Sequence, residues 1–595
     1  MTETVESTYD VSKWRLDDLF PGHKAPEIKT AFEELEARVE KFEGHREKLA
    51  ADMEYEDFMD IITEMESNTR KAYRISQFAS LWFSEDTQNQ EAQAFQAKTD
   101  QFMATLQNRT LFFSLWWKGL DDDDTKRLMK DSGEYEYWLE EMRHFKPYTL
   151  TELEEKVINI KDVTGVSAMT RLYSSITNRY VYKVEVDGEV KELTRGELMN
   201  LVLRPDPDIR AAAYQELYRV YGEDGPILGQ MYQAVVQDWH NEGVDMRGYA
   251  SPLSVRNLAN DIPDEVVNTL LDVAKQNAPL FQRFFKMKAG LLGIDKLRRY
   301  DIYAPVASSD KKYSYDEAVK MVQEAFKGFD PKIADLAQRI YDEDHFDSEV
   351  RKGKRGGAFC SSGDPELTPW VLVNYDGSAR DVSTLAHELG HAIHAMLAER
   401  HNVFATHATL PLAETASTFA EMVLIDHMLA NETDEDVRRD ILFAQVDDNY
   451  ATIMRQIFFA LFEREAHEMV NDGASVDDLS DAYMKNLEEQ FGEAVELADE
   501  FRWEWVSIPH IYQVPFYVYA YAFGQLLVLA LYQQFKAEGD AFKARYIELL
   551  STGGSKSPDD ILKKAGVDMR DPKFWQGGFD VLEGMIAELE KMTAK

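Results

Sequence analysis

The chain has 595 residues, and its 107 Asp and Glu outweigh 66 Lys and Arg to give a formal net charge of −41. A surface this acidic repels phosphate backbones and anionic lipid, which excludes nucleic acid and membrane surfaces as partners. The single cysteine excludes an internal disulfide framework and agrees with a reducing compartment.

The length allows a large core and more than one structural region. The first ten residues, MTETVESTYD, are polar and acidic and lack the apolar core of a signal peptide. Apolar residues at helical spacing predict helices over 28–50, 56–82 and 88–118. The acidic run Asp121–Asp124 reads as a solvated loop and helix cap rather than a metal site. Residues 180–193, YVYKVEVDGEVKEL, alternate around Asp187-Gly188 and predict a β-hairpin. Pro205 and Pro207 then break the chain. We place a boundary near residue 203, between an N-terminal helical region (1–203) and a second region (204–585). Helical patterns resume over 208–300 and 315–345, with no internal repeat and no low-complexity tether.

Residues 355–376, RGGAFCSSGDPELTPWVLVNYD, carry strand propensity at Trp370–Val373 between Gly- and Pro-containing flanks. Two short extended pieces are expected here, either as a plain hairpin or as an edge to which a peptide can add as a further strand.

Residues 387–391 read His-Glu-Leu-Gly-His. On a helix, His387 and His391 lie one turn apart and point the same way, so both can bind one zinc ion. Glu388 then projects beside the metal as a base for a water molecule. Asp381 is expected to cap this helix, with Ser383 and Thr384 in its first turn. Leu385, Leu389, Ile393 and Met396 form the face to be buried. Gly390 leaves room near a metal on this reading. His394 falls about 10 Å along the axis from His387, too far to share its ion, and is expected to pack or to support a ligand.

A hydrolytic zinc site needs three protein ligands and an open position. In residues 410–422, LPLAETASTFAEM, Pro411 precedes a helical pattern, and Glu414 is assigned as the third ligand. Glu421, seven residues on and on the same face, is placed to accept the outer N–H of a ligand histidine. In residues 509–524, PHIYQVPFYVYAYAFG, His510 and Tyr519 or Tyr521 are candidates to stabilise a developing oxyanion, while most of the segment reads as aromatic core. The run Tyr517–Tyr532, interrupted by Gln525, is too short to span a membrane and is expected to be a buried helix.

Taken together, KRGGAFCSSG, PWVLVNYDG, DVSTLAHELGHAIHAM, LPLAETASTFAEM and PHIYQVPFYVYAYAFG resemble the oligoendopeptidase F family of thimet-oligopeptidase-like zinc metallopeptidases, over most of the chain. The resemblance implies a mainly α, zincin-type fold with a small β-sheet or hairpin beside the histidine helix and a deep substrate channel. It implies a cytoplasmic endopeptidase acting on short unstructured peptides. One zinc ion would be held by His387, His391 and Glu414, with Glu388 as general base. His510 and Tyr519 or Tyr521 would be the oxyanion helpers, the tyrosine register staying open by a couple of residues. Cys360 adds no evidence for catalysis. Two other classes stay open: a helical peptide-binding protein that keeps zinc without turnover, and a zinc exopeptidase. The second lacks a clear terminus-binding group in the sequence.

Overall fold

The computed structural model describes residues 8–306 and 311–593. The chain forms two compact units, each built from three separate stretches. The first draws on Met1–Lys146, Lys311–Asn431 and Gln534–Val567, and the second on Pro147–Asp310, Glu432–Gln533 and Asp568–Lys595. Helices dominate both, so the fold is mainly α. The strands, in chain order, are β1 (Tyr182–Val186), β2 (Glu189–Leu193), β3 (Leu297–Arg298), β4 (Phe346–Asp347), β5 (Phe359–Ser361), β6 (Trp370–Leu372) and β7 (Val495–Glu496).

In the first unit, helices Pro26–Glu43, Tyr55–Glu85 and Gln90–Gly119 follow the apolar spacing of the sequence. Ile28, Ala31, Leu35, Val39 and Phe42 recur every three or four residues and are the buried face of the first. The expected span of 28–50 is cut short at Glu43 because the chain turns at Gly44. Asn89 accepts from the amides of Glu91 and Ala92 and starts the third helix. Asp121 does the same for Asp123 and Asp124, so the acidic run is a helix start. Trp14, Leu35, Phe78 and Leu106 share one core with Trp370 and Leu372. β6 is the central strand of a small sheet, parallel to β4 and antiparallel to β5. Its three residues are fully buried, as a strand covered on both faces requires. β5 is left at the edge, beside helix Ala379–Leu397.

The second unit contains the β1–β2 hairpin, in which Val186 pairs with Glu189. Asp187 (φ 56°) and Gly188 (φ 80°) make its two-residue turn, the geometry that matches strand twist. Helix Pro207–His240 opens on an Asp206 cap. Gly222 and Gly225 on it admit the Trp503 ring, which a Cβ at Gly225 would meet at 2.5 Å. The expected helical stretch 208–300 is interrupted by a π-turn at Asn241–Met246, resumes as Pro252–Ala259, Asp264–Gln276 and Ala278–Leu291, and gives way to β3 at Leu297. The aromatic run near the C-terminus forms part of helix Tyr519–Glu538. Among the described residues no helix is long and apolar enough to cross a membrane.

Candidate metal centre

Helix Ala379–Leu397 begins at Ser378, not at Asp381 as the sequence suggested. Ser378 accepts from the Asp381 amide, and the Asp381 carboxylate returns to the Ser378 amide, a reciprocal pair that satisfies two otherwise open donors. Leu385, Leu389, Ile393 and Met396 are buried as expected. That fixes the rotation of the helix, so His387 and His391 emerge together at a cavity of about 390 Å³.

The partner segment is a short turn, Leu410–Ala413, followed by helix Thr415–Asn431, with Glu414 at the junction. Gly390 explains how closely the two helices approach. A Cβ there would lie 2.5 Å from the Ser417 Cα and 2.7 Å from the Ala416 carbonyl oxygen. The missing side chain therefore admits the backbone that carries Glu414. It does not leave open space near a metal, as the sequence reading had it.

The Nε2 atoms of His387 and His391 lie 3.4 and 3.3 Å from the same oxygen, Glu414 Oε2. One ligand atom from each residue falls within 4.8 Å of the others. Ser417 Oγ donates to Glu414 Oε2 at 2.6 Å and holds the carboxylate. Glu421 Oε1 sits 2.7 Å from His387 Nδ1, and its other oxygen accepts from Ser383 Oγ at 2.8 Å. A carboxylate at Nδ1 fixes the tautomer that leaves Nε2 as the electron-pair donor.

Charge completes the picture. Burial opposes a charged His387, but the Glu421 hydrogen bond and the nearby carboxylates prevail, taking its pKa up to about 9, so a cation binding at Nε2 displaces a proton. Burial likewise opposes a charged Glu414, yet His391, His387 and Ser417 bring it down to about 2. Burial raises the pKa of Glu388, which is 6% exposed and has an oxygen, Oε2, without a hydrogen-bond partner. His394 also lines the cavity, and burial lowers its pKa to about 4. The residues present therefore fit one cation: two imidazole donors, a fixed carboxylate and an orphaned base beside them.

The His510 segment belongs to the second unit. His510 lies in the short helix Pro509–Gln513. Its Nε2 is 3.4 Å from Tyr521 Oη. The Tyr517 ring lies parallel to the imidazole, with centroids 6.3 Å apart, and 5.1 Å from the Tyr521 ring. Tyr519 points elsewhere. It is fully buried, and its oxygen accepts from Asn260 Nδ2 at 2.8 Å. Tyr512 is also buried and donates to the Leu228 carbonyl. His510, Tyr517 and Tyr521 thus form one group, and Tyr519 is outside it. The sequence reading missed Ser417, although its i+3 spacing from Glu414 was visible. It also missed Thr406 and His407, which join the cavity lining from a loop and had no motif to mark them.

A family model described as peptidase family M3 matches residues 200–581. The chain belongs to peptidase family M3. A second model, described as oligopeptidase F, matches residues 116–181 of this family M3 chain. It is 28% identical to oligopeptidase PepF of Bacillus subtilis over 98% of this chain and 87% of that protein. It is 29% identical to group B oligopeptidase PepB of Streptococcus agalactiae over 90% of both. A solved structure from Chlamydophila abortus superposes with a TM-score of 0.88 at 25% identity, covering 98% of this chain and 100% of that one. Oligoendopeptidase-F from Enterococcus faecium shares the fold with a TM-score of 0.72 at 24% identity, over 95% of this chain and 98% of that one. The resemblance to oligoendopeptidase F read from the motifs holds. Family M3 is a metallopeptidase family, so this chain is a metal-dependent hydrolase of peptide bonds.

Proposed function

We propose that this M3 peptidase is a cytoplasmic, zinc-dependent endopeptidase that cuts internal bonds of short unstructured oligopeptides, with residues 204–585 as its catalytic region. The observation that carries the reading is the convergence of His387 Nε2 and His391 Nε2 on Glu414 Oε2, beside the unpartnered Glu388 Oε2. Two imidazoles and a carboxylate suit zinc, although cobalt and manganese also accept this set. When bound, zinc supplies Lewis acidity that polarises a peptide carbonyl and makes water acidic near neutral pH.

The chain's own residues then have separate tasks. Glu388 takes the proton of the attacking water and delivers it to the leaving amine. Glu421 keeps His387 in its donor tautomer, and Ser417 keeps Glu414 turned toward the imidazoles. β5, an edge strand beside the histidine helix, offers main-chain groups to an extended peptide, which would grip substrates with little side-chain selectivity. His510 and Tyr521 are assigned, from the family resemblance and their mutual contact, as donors to the developing oxyanion.

The test is cleavage of a blocked, internally quenched nonapeptide by wild type and Glu388→Gln, each with bound zinc quantified. We expect internal cuts by wild type, and a loss of about 10²–10⁴-fold in kcat in the variant at equal zinc content. Near-normal turnover in the variant would remove Glu388 as the base. Cuts only at chain termini would turn the reading to an exopeptidase.

A further inference from the structure

Among the described residues, Phe516 is one of four non-glycine residues with positive φ, at 58°. A bulky L-residue adopts that conformation only where its surroundings over-determine it. It lies between His510 and Tyr521, and the chain reverses there through short bonds from the Val514 amide to the His510 carbonyl and from the Tyr517 amide to the Val514 carbonyl.

The peptide group joining Pro515 to Phe516 is held at both ends. The Phe516 N–H donates to Glu463 Oε1 at 2.8 Å, and the Pro515 carbonyl accepts from Arg256 Nε at 3.1 Å. Flipping this peptide would relieve the positive φ and would break both bonds at once. Neither clamp residue is an incidental surface group. Glu463 is fully buried on helix Arg455–Asn471. Arg256, on helix Pro252–Ala259, lies with its guanidinium 5.6 Å from the Trp239 ring centroid. The Phe516 side chain is itself buried, its ring centroid 4.6 Å from that of His467. Glu463 Oε2 and both His467 nitrogens have no hydrogen-bond partner. Such groups are costly to bury, and the one strong bond Glu463 makes is to the strained peptide. Nothing in the catalytic assignment above uses either residue.

The geometry points to Glu463 and Arg256 as positioning residues that lock the Pro515–Phe516 peptide and thereby hold His510, Tyr517 and Tyr521 as one group. This rests on the reading of His510 and Tyr521 as oxyanion donors. The clamp touches neither substrate nor metal, so its loss should lower kcat while leaving KM and zinc content nearly unchanged. An isosteric acceptor should restore the function, because only Oε1 is needed.

The experiment compares the zinc-loaded full chain with Glu463→Gln, Glu463→Met, Arg256→Met and Tyr521→Phe. It reads kcat, KM, zinc content, and amide hydrogen exchange in the peptide covering residues 509–521. We expect Glu463→Met and Arg256→Met to speed exchange in that segment and to lower kcat by about 10-fold or more. Glu463→Gln should stay close to wild type in both readouts. Unchanged exchange in both Met variants overturns the clamp, as does a loss in Glu463→Gln equal to that in Glu463→Met. If Glu463→Met does not fold, Arg256→Met and Glu463→Gln decide the question by the same two readouts. Wild-type kcat in Tyr521→Phe would remove that phenol as a donor, and the exchange data would still decide whether the peptide is clamped.

Discussion

Glu414 in the first unit and Glu463 in the second lie in surroundings that treat a carboxylate in opposite ways. Glu414 is about half exposed at the cavity, with two imidazole nitrogens and a serine hydroxyl converging on one of its oxygens. Those groups pull its pKa down to about 2, so the carboxylate stays charged. Glu463 is fully buried. One oxygen accepts a backbone N–H, and the other has no partner. Burial pushes its pKa up to about 8, with Arg256 only partly opposing. A carboxyl group in the first setting stays charged among hydrogen-bond donors, and in the second it is a neutral hydrogen-bonding strut. The difference lies in whether compensating donors reach the charge, not in residue type.

The largest effect should come from removing the charged carboxylate. Glu414→Ala leaves two imidazoles without their shared partner and should weaken metal binding by about 100-fold or more, since changing even supporting groups costs 10–100-fold. Metal retained after dialysis against a chelator reads this directly. Metal content equal to wild type would exclude Glu414 as a ligand, and Glu463→Gln serves as the comparison that should keep its metal.

Next comes the approach of the two helices that creates the centre. Gly390→Ala puts a Cβ against the backbone of Ala416 and Ser417. Overpacking of this kind costs about 1–3 kcal/mol, so the thermal midpoint should fall and metal affinity with it. An unchanged midpoint would mean that the helix carrying Glu414 yields easily.

A third test, read as a trend with pH, addresses the neutral carboxyl. The pKa of Glu463 rises from 4.5 to about 8 on folding. Below 4.5 both folded and unfolded chains hold the proton. Between 4.5 and about 8 only the folded chain holds it, so rising pH favours unfolding, and above that window the loss is constant. Glu463→Gln has no proton to lose. Its thermal midpoint should therefore gain on that of wild type between pH 5 and pH 8. A constant difference across that window would show that Glu463 is already ionised in the fold.

Much of the metal centre was legible in the sequence because its parts are local. Helical spacing puts His387 and His391 on one face, the apolar stripe fixes which face is buried, and Glu421 follows Glu414 by two turns. The hairpin at Asp187-Gly188, the helix start at Asp121 and the buried C-terminal helix were local for the same reason. The start at Ser378 was misread because Ser378 and Asp381 are both cap formers, and only the reciprocal bond separates their roles.

The family, the histidine helix and the residue types at the candidate centre follow from motifs and from periodicity within single elements. Which residues meet is a product of packing between elements. That packing set the backbone of Ala416–Ser417 against Gly390, turned Tyr519 into the core toward Asn260, and brought Arg256 and Glu463 to one peptide bond. Arg256 and Glu463 are some two hundred residues apart in the chain. No spacing rule reaches across that separation, because the contact exists only after separate elements have buried their apolar faces together.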